Sequence, residues 1–201
     1  MTYSITVMAH TSRLDHAHRL ATQLDAMVSL DDGSLGENAN GDRAWSMCNP
    51  LRDWAVVIQD DAMPYRHFTR HLDSVLNRAT ADVVGLYVGT SQPRPLLVTR
   101  AVQQAEHHKA GWITASHMYW GVGIAIRTQL VPDMLEHVHG DPRPYDARIG
   151  AWARDTRRTI AYCWPSILDH ADGPSLVHFR SKPRRAHKVA APYPNRKTVE
   201  L

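Results

Sequence analysis

The chain has 201 residues, of which 43% are hydrophobic and 21% are charged, so we expect one globular domain with a buried core. No apolar stretch reaches the roughly 18 residues that a membrane span needs, and the first residues lack the pattern of a secretory signal. Cys48 and Cys163 form neither a disulfide framework nor a CxxC metal motif, so we expect a cytoplasmic protein in which both are core residues.

The positive charge is concentrated towards the C-terminal end. The formal net charge is +3, yet residues 1–173 carry 16 basic and 19 acidic side chains, a balance of −3. Residues 174–201 carry seven basic side chains against Glu200 alone, and their prolines disfavour a regular helix. The seven are Arg180, Lys182, Arg184, Arg185, Lys188, Arg196 and Lys197. We therefore predict a domain over 1–173 followed by an extended basic arm over 174–201.

Strand-like and helix-like segments alternate along the predicted domain. The first half predicts a strand at 3–9, a helix over 14–28, a strand at 28–30, a polar loop over 31–41, a short helix capped by Asp42 and a strand at 54–58. Pro64 is then expected to open a helix whose buried stripe is Phe68, Leu72, Val75 and Leu76. The second half predicts a strand at 83–88, a helix around 101–108, strands near Ile113 and at 121–126, a helix over 145–157 and a strand at 159–162. Such alternation indicates an α/β fold with a mostly parallel central sheet.

Two adjacent carboxylates, Asp60 and Asp61, follow the apolar strand at 54–58. Open α/β sheets bind ligands at the edge where parallel strands end. Neighbouring carboxylates repel each other, so their burial is costly unless a cation is present. Their oxygens suit Mg²⁺ or Mn²⁺, ions that commonly bridge to phosphate groups. The alternative is that both residues only end the strand and cap the helix that follows.

The order of these motifs resembles that of the GT-A nucleotide-sugar glycosyltransferases. In that family the first strand binds the nucleotide, and Thr11 and Arg13 lie just beyond it here. The second strand ends in an acid that contacts the nucleoside, a position held here by Asp31 or Asp32. A basic residue commonly precedes the helix before the metal-binding strand, a position that Arg43 matches here.

The family's metal motif is Asp-x-Asp or a variant such as Glu-Asp-Asp. The segment Gln59-Asp60-Asp61 is similar to that variant, with Gln59 in place of the first carboxylate. The resemblance implies that Asp61 is a metal ligand and that Asp60 contacts the ribose or a metal-bound water.

Three downstream segments extend the resemblance to about residue 178. Gly121 lies in a segment similar to the one beside the donor sugar and acceptor, although a tight strand also uses such glycines. Asp146 begins a helix at the place where inverting members carry a base, although a helix dipole also favours an acid there. The segment 164–170 is similar to one whose histidine binds the metal in some members, which implies that role for His170. Otherwise, His170 is a solvated or core histidine.

The resemblance implies a glycosyltransferase, an enzyme of the EC 2.4 class, that uses Mn²⁺ or Mg²⁺ and a nucleotide-diphosphate sugar, with a UDP-sugar as the first choice. Asp61 and His170 would hold the metal, Arg43 would add positive charge, and Asp146 would be the base of an inverting reaction.

Small stand-alone members of this kind occur in phages, where some modify DNA bases and others modify virion proteins, with the host cytoplasm as the site of action. With the basic arm, this favours duplex DNA as a partner and a hydroxymethyl pyrimidine base as the acceptor. The alternative is that the basic segment is a solvated tail that aids solubility or packs on a partner subunit. Two other functions stay open. A metal-dependent nuclease or nucleotidyl transferase would need a second carboxylate cluster. A non-catalytic DNA-binding accessory protein would leave the two carboxylates unexplained.

Overall fold

An eight-stranded sheet flanked by helices organises the computed structural model, which describes residues 1–90, 95–171 and 185–201. The strands are β1 (Tyr3–His10), β2 (Met27–Asp31), β3 (Trp54–Gln59), β4 (Ala62–Pro64), β5 (Val83–Gly85), β6 (Trp112–Ala115), β7 (Gly123–Arg127), β8 (Ile160–Cys163), β9 (Leu168–His170) and β10 (Thr198–Glu200). The helices are α1 (Leu14–Leu24), α2 (Gly36–Ser46), α3 (Phe68–Arg78), α4 (Pro95–His108), α5 (Val131–Val138) and α6 (Tyr145–Asp155), with 3₁₀ turns at Thr11–Arg13 and Thr128–Leu130.

The strand order of the large sheet is β10-β6-β8-β5-β7-β3-β1-β2. Strands β1, β2, β3, β5 and β8 run in one direction, whereas β6, β7 and β10 run in the other. The predicted α/β class with a mostly parallel sheet is confirmed. A second, two-stranded antiparallel sheet joins β4 to β9 beside the end of β3.

Strand β3 is an inner strand of the sheet and is buried along nearly its whole length. Its first five residues, 54–58, are all 0% exposed. It pairs in parallel with β1 on one side and antiparallel with β7 on the other, so both of its edges are hydrogen-bonded. A continuous apolar run is typical of strands that are covered on both faces. The residues that follow β3 are therefore delivered to a fixed place at the carboxyl edge of the sheet.

The helix pattern predicted the buried face of α3 but not every helix boundary. Phe68 and Leu72 of the predicted stripe are buried as expected, together with Val75 and Leu76. Pro64 does not open this helix, because it belongs to β4 and pairs with β9. The loop predicted over 31–41 was also wrong in part, since α2 begins at Gly36.

Several elements were missed because they carry little periodic signal. They are α5, the first turn of α4, and the three-residue strands β4, β9 and β10. Short strands gain their structure from pairing with distant segments rather than from local pattern. Within the described residues, no helix has both the length and the apolar character of a membrane span.

Both cysteines lie in the core, as predicted. Cys48 and Cys163 are free thiols, 7% and 0% exposed. Burial raises the pKa of the Cys163 thiol to about 12, so this group stays protonated at neutral pH.

Residues 185–201 are not an extended arm, which corrects that part of the prediction. Strand β10 pairs in parallel with β6 and forms an edge of the large sheet. Upstream of it, Tyr193 packs against the core and its backbone N–H donates to Trp164 O. The composition was misleading because the residues between the prolines can still form backbone hydrogen bonds to the domain. Arg180, Lys182 and Arg184 lie outside the described residues, and the predicted boundary at residue 174 stays a prediction.

A carboxylate on α4 fastens this C-terminal segment to the domain. Glu106 Oε1 accepts hydrogen bonds from Trp164 Nε1 and Lys188 Nζ, both at 2.9 Å. Its Oε2 accepts from Tyr193 Oη, also at 2.9 Å. Burial raises the pKa of Glu106, but the hydrogen bonds from Lys188, Tyr193 and Trp164 outweigh it, so the net pKa is lowered.

Replacing Glu106 should therefore loosen the C-terminal segment. We expect Glu106→Ala to lower the free energy of unfolding by about 1–3 kcal/mol, the range for a charged hydrogen-bonded group whose partners are left unpaired. A lowered carboxyl pKa stabilises the fold above the unfolded-state pKa of about 4.3, and this contribution is lost as the pH falls through the folded-state pKa. Urea denaturation at pH 7 and below pH 4 measures both effects. Glu136→Ala, at an exposed position of α5, is the charge-matched control, and equal losses in the two variants would contradict the assignment.

Candidate active site

Three strand ends meet at the two adjacent carboxylates. Asp60 and Asp61 follow β3 directly and are only 4% and 9% exposed, while His170 ends β9 and is 5% exposed. Backbone hydrogen bonds join the end of β3 to β1 and β9. Asp60 N donates to Met8 O of β1 at 3.0 Å, and Ala171 N, directly after β9, donates to Asp61 O at 2.8 Å. The carboxylates therefore lie in a framework held from both sides.

Arg13 compensates the charge of this acid pair. Its Nη1 lies 2.8 Å from Asp60 Oδ1 and 2.9 Å from Asp61 Oδ2. Burial lowers the pKa of Arg13, but hydrogen bonds and charges from the two carboxylates outweigh it, so the net pKa is raised. The other oxygen of Asp60 accepts the His10 backbone N–H at 2.9 Å.

The acid pair does not cap the next helix, which was the alternative interpretation of this motif. The N-cap of α3 is His67, and no side chain makes a capping hydrogen bond there. The carboxylates are instead directed towards Arg13, which lies just before α1.

His170 is oriented as a metal-binding histidine would be. Its Nδ1 lies 2.7 Å from Ala171 O. A carbonyl oxygen can only accept, so we assign the proton to Nδ1, which leaves a lone pair on Nε2 of the neutral ring. That Nε2 lies 3.3 Å from Asp61 Oδ2, yet it makes no hydrogen bond with any of the described residues. A cation bound there would give Nε2 a partner.

The donor atoms fit an ion that shares its coordination with a substrate. Two atoms each about 2.1 Å from one ion lie about 3 Å apart at neighbouring octahedral positions, close to the 3.3 Å between Asp61 Oδ2 and His170 Nε2. Among the described residues, no group of three or more His, Cys, Asp or Glu side chains is arranged to hold a metal. Mg²⁺ usually keeps several waters and adds substrate phosphates to one or two protein ligands. The site therefore fits an ion completed by phosphate oxygens.

Asp31 supports the fold rather than facing a ligand. Its two oxygens accept the backbone N–H groups of Gly33, Leu35 and Gly36 at 2.9–3.0 Å. Burial raises the pKa of Asp31, but these three N–H groups outweigh it, so the net pKa is lowered. The side chain thus builds the turn into α2, which explains why that helix begins inside the predicted loop. Asp32 is exposed, and its Oδ1 accepts the Ser34 N–H at 3.0 Å.

Arg43 is likewise engaged within the fold. Its Nε donates to Ser29 Oγ at 2.9 Å, and its Nη2 donates to Leu30 O and to Asn40 Oδ1. These bonds join the end of β2 to α2. Thr11 lies in the 3₁₀ turn after β1 and is exposed. Of the residues that the resemblance assigned to the nucleotide, Arg13 and Asp60 are the two that the structure brings to Asp61.

Gly121 lies two residues before β7 and is closely packed. A Cβ there would lie 3.0 Å from Tyr145 Cδ1 and 3.4 Å from Gln59 Nε2. The space that the missing side chain leaves is therefore filled by α6 and by the end of β3. Asp146 follows Tyr145 in the first turn of α6 and is half-buried.

A cluster of aromatic side chains connects the surroundings of His170 and Asp146, and the sequence analysis did not single it out. The rings of Tyr87 and His170 are 6.5 Å apart, those of Tyr87 and Trp120 are 6.2 Å apart, and those of Trp120 and Tyr162 are 5.2 Å apart. Burial and the nearby charge of Asp146 raise the pKa of Tyr162 well above its usual value, against a hydrogen bond from the Tyr119 backbone that lowers it. Trp120, directly before Gly121, is the residue from which the sequence could have predicted this cluster.

His16 was also missed. Its Nδ1 makes a short contact with Asp60 O, and it follows Arg13 by three positions. Residues three apart on a helix lie on one face, so both side chains reach the same strand end. A basic residue paired with a histidine at this spacing, just after a predicted strand, was the available signal.

No protein-family model matches the chain, and no curated protein does. Similar solved structures include that of a viral protein from STIV, with 10% identity and a TM-score of 0.48 over 85% of this chain and 86% of that one. The catalytic domain of Drosophila β1,4-galactosyltransferase 7, in complex with xylobiose, is similar over 94% of this chain and 76% of that one, with 9% identity and a TM-score of 0.45. A mutant of that enzyme, in complex with manganese, UDP-Gal and xylobiose, is similar over 85% and 71%, again with 9% identity and a TM-score of 0.45. Such values carry no information about the substrate of this chain.

The two neighbouring acids at the end of β2 should behave differently when they are replaced. We expect Asp31→Ala to lower the free energy of unfolding by about 1–2 kcal/mol, because the start of α2 loses the acceptor of three backbone N–H groups. Asp32→Ala is the matched control and should leave stability nearly unchanged. Urea denaturation measures both variants. If Asp32→Ala proves as destabilising as Asp31→Ala, the structural role given to Asp31 is wrong.

Proposed function

We propose that the protein is a metal-dependent glycosyltransferase that moves a sugar from a nucleotide-diphosphate sugar to an acceptor hydroxyl. The observation that carries the proposal is the convergence of Asp61 Oδ2 and His170 Nε2, 3.3 Å apart, next to the guanidinium of Arg13. This combination offers two ligands to a divalent ion and a cation to the phosphates that complete its coordination.

The chemistry divides among these residues as follows. Asp61 and His170 would bind Mn²⁺ or Mg²⁺, and the bound ion would neutralise the charge that grows on the diphosphate as it leaves. Arg13 would donate hydrogen bonds to phosphate oxygens, and Asp60 would orient Arg13 through its Oδ1. The bond from the sugar's anomeric carbon to the diphosphate breaks as the acceptor oxygen attacks that carbon.

Asp146 is proposed to take the proton of the acceptor hydroxyl. It is half-buried in the first turn of α6 and close enough to the aromatic cluster for its charge to affect Tyr162. Tyr87, Trp120 and Tyr162 are at most 7% exposed, so they form the wall behind the site. The half-buried Tyr119, whose ring lies 5.7 Å from that of Trp120, would contact the apolar face of an acceptor. The proton would pass to the Asp146 carboxylate as the new glycosidic bond forms.

The two other functions have less support. A two-metal nuclease would need a second set of carboxylates, and the described ranges 1–90, 95–171 and 185–201 contain no larger metal-binding group. A purely DNA-binding accessory protein would have no use for two buried carboxylates beside an oriented histidine.

A UDP-sugar as donor and a hydroxymethyl pyrimidine base of phage DNA as acceptor remain our finer proposals. Two basic residues of the predicted arm are paired within the chain, Arg185 with Asp169 at 3.3 Å and Lys188 with Glu106 at 2.9 Å. Electrostatic attraction of duplex DNA would therefore depend on Arg196 and Lys197, which are both exposed, and on the three basic residues of 174–184.

Metal-supported donor binding is the first test of the function. In a thermal-shift panel of nucleotide sugars, we expect stabilisation by one of them, UDP-sugars first, that needs Mn²⁺. Asp61→Asn keeps the shape of the side chain but removes its charge, and should weaken Mn²⁺-supported binding by about tenfold or more, a difference of about 1.4 kcal/mol. Asp15→Asn, which removes the same charge from an exposed position of α1, is the control. Unchanged Mn²⁺ dependence in Asp61→Asn would exclude this metal site, and stabilisation by DNA alone would favour the accessory function.

A second test separates catalysis from binding at Asp146. We expect Asp146→Asn to leave the affinity for the sugar nucleotide nearly intact and to lower kcat by about 10²-fold or more, the usual scale for a general base. Steady-state kinetics with the donor found in the panel, together with a binding titration, measure the two quantities. Turnover close to that of the wild type would mean that Asp146 only stabilises the start of α6.

A further inference from the structure

One carboxylate oxygen lies between two different partners. Asp61 Oδ2 is 2.9 Å from Arg13 Nη1 and 3.3 Å from His170 Nε2. A divalent ion bound between Asp61 and His170 would use that same oxygen. The guanidinium would then lie a few ångströms from an ion of like charge, in a site where all three residues are largely shielded from water. Arg13 and the ion therefore compete for Asp61.

We propose that Arg13 is an exchangeable counter-ion of the acid pair, which occupies Asp61 until a divalent ion replaces it and then turns to the diphosphate of the donor. This inference rests on the proposed function, because it assumes the metal site at Asp61 and His170. Arg13 acts here as a positioning residue for metal and donor.

The contacts of Arg13 allow it to leave one carboxylate without losing the other. Asp60 is held independently, since its Oδ2 accepts the His10 N–H at 2.9 Å while its Oδ1 receives Arg13 at 2.8 Å. The side chain of Arg13 is 20% exposed, more than those of its two partners, and its backbone lies at the junction between the 3₁₀ turn and α1. Because Nη1 makes both contacts, it can keep its hydrogen bond to Asp60 while it exchanges the one to Asp61 for a phosphate oxygen.

This exchange couples the binding of metal and donor. An ion that binds alone must break the contact between Arg13 Nη1 and Asp61, and it places a second positive charge beside the guanidinium. A nucleoside diphosphate supplies negative charge to both cations and adds phosphate oxygens to the ion. Each ligand should therefore raise the affinity for the other, by equal factors.

Mn²⁺ binding to the full chain tests the exchange without relying on turnover. The free hydrated ion is measured by electron paramagnetic resonance, first without nucleotide and then with UDP. We expect Arg13→Gln to bind Mn²⁺ alone about tenfold more tightly than the wild type, and UDP to strengthen Mn²⁺ binding less in this variant. Arg19→Gln removes the same charge from an exposed position of α1 and should match the wild type in both titrations.

Two further variants keep the outcomes distinct. Arg13→Lys retains the positive charge and so protects the fold, and its Mn²⁺ affinity should lie between those of the wild type and Arg13→Gln. Unfolding temperatures with and without Mn²⁺ give a second readout, because the ion should stabilise Arg13→Gln more than the wild type. His170→Ala removes a proposed ligand and should abolish tight Mn²⁺ binding.

The exchange is refuted if Arg13→Gln, still folded, binds Mn²⁺ no more tightly than the wild type while His170→Ala loses the ion. In that case the metal site of the proposed function stands. If His170→Ala binds Mn²⁺ as the wild type does, or if no variant binds the ion even with UDP, the metal site itself is wrong and the exchange falls with it.

Discussion

The mutual repulsion of two adjacent, nearly buried carboxylates is the constraint on which the carboxyl edge of this sheet depends. Asp60 and Asp61 follow a strand that is fixed on both sides, so they cannot separate by moving the backbone. Their charge must be met by cations or N–H groups supplied by neighbouring strands. Arg13 and the His10 backbone, both just after or at the end of β1, meet this requirement.

The elements with continuous or periodic apolar patterns could be predicted from the sequence. The apolar run at 54–58 predicted β3, because a strand that is buried on both faces has apolar residues at successive positions. The spacing of four apolar residues predicted the buried face of α3, because a helix that is buried along one stripe has apolar residues every three or four positions; they are Phe68, Leu72, Val75 and Leu76. Strands β9 and β10 have three residues each and leave no such mark. Their positions depend on β4 and β6, which are distant in sequence, so local pattern could not locate them.

The candidate site could be predicted only in part, for a related reason. A polar side chain looks the same in the sequence whether it faces a ligand or satisfies the backbone. Asp31 and Arg43 belong to the second kind, since their hydrogen bonds fix the start of α2 and the end of β2. We propose that Arg13 and His170 belong to the first kind, because they meet at Asp61, and that meeting is a property of the folded chain.

The parallel pairing of β10 with β6 has a consequence for the colloidal behaviour of the protein. Without β10, one edge of β6 would present unpaired N–H and C=O groups beside the apolar side chains of Trp112 and Ile113, a surface on which a strand of another molecule can add. With only three residues, and with the charged Glu200 at its end, β10 offers a far poorer template. Chains shortened by proteolysis before residue 198 would therefore be the ones that self-associate, which makes an intact C-terminal segment a requirement for a monodisperse preparation.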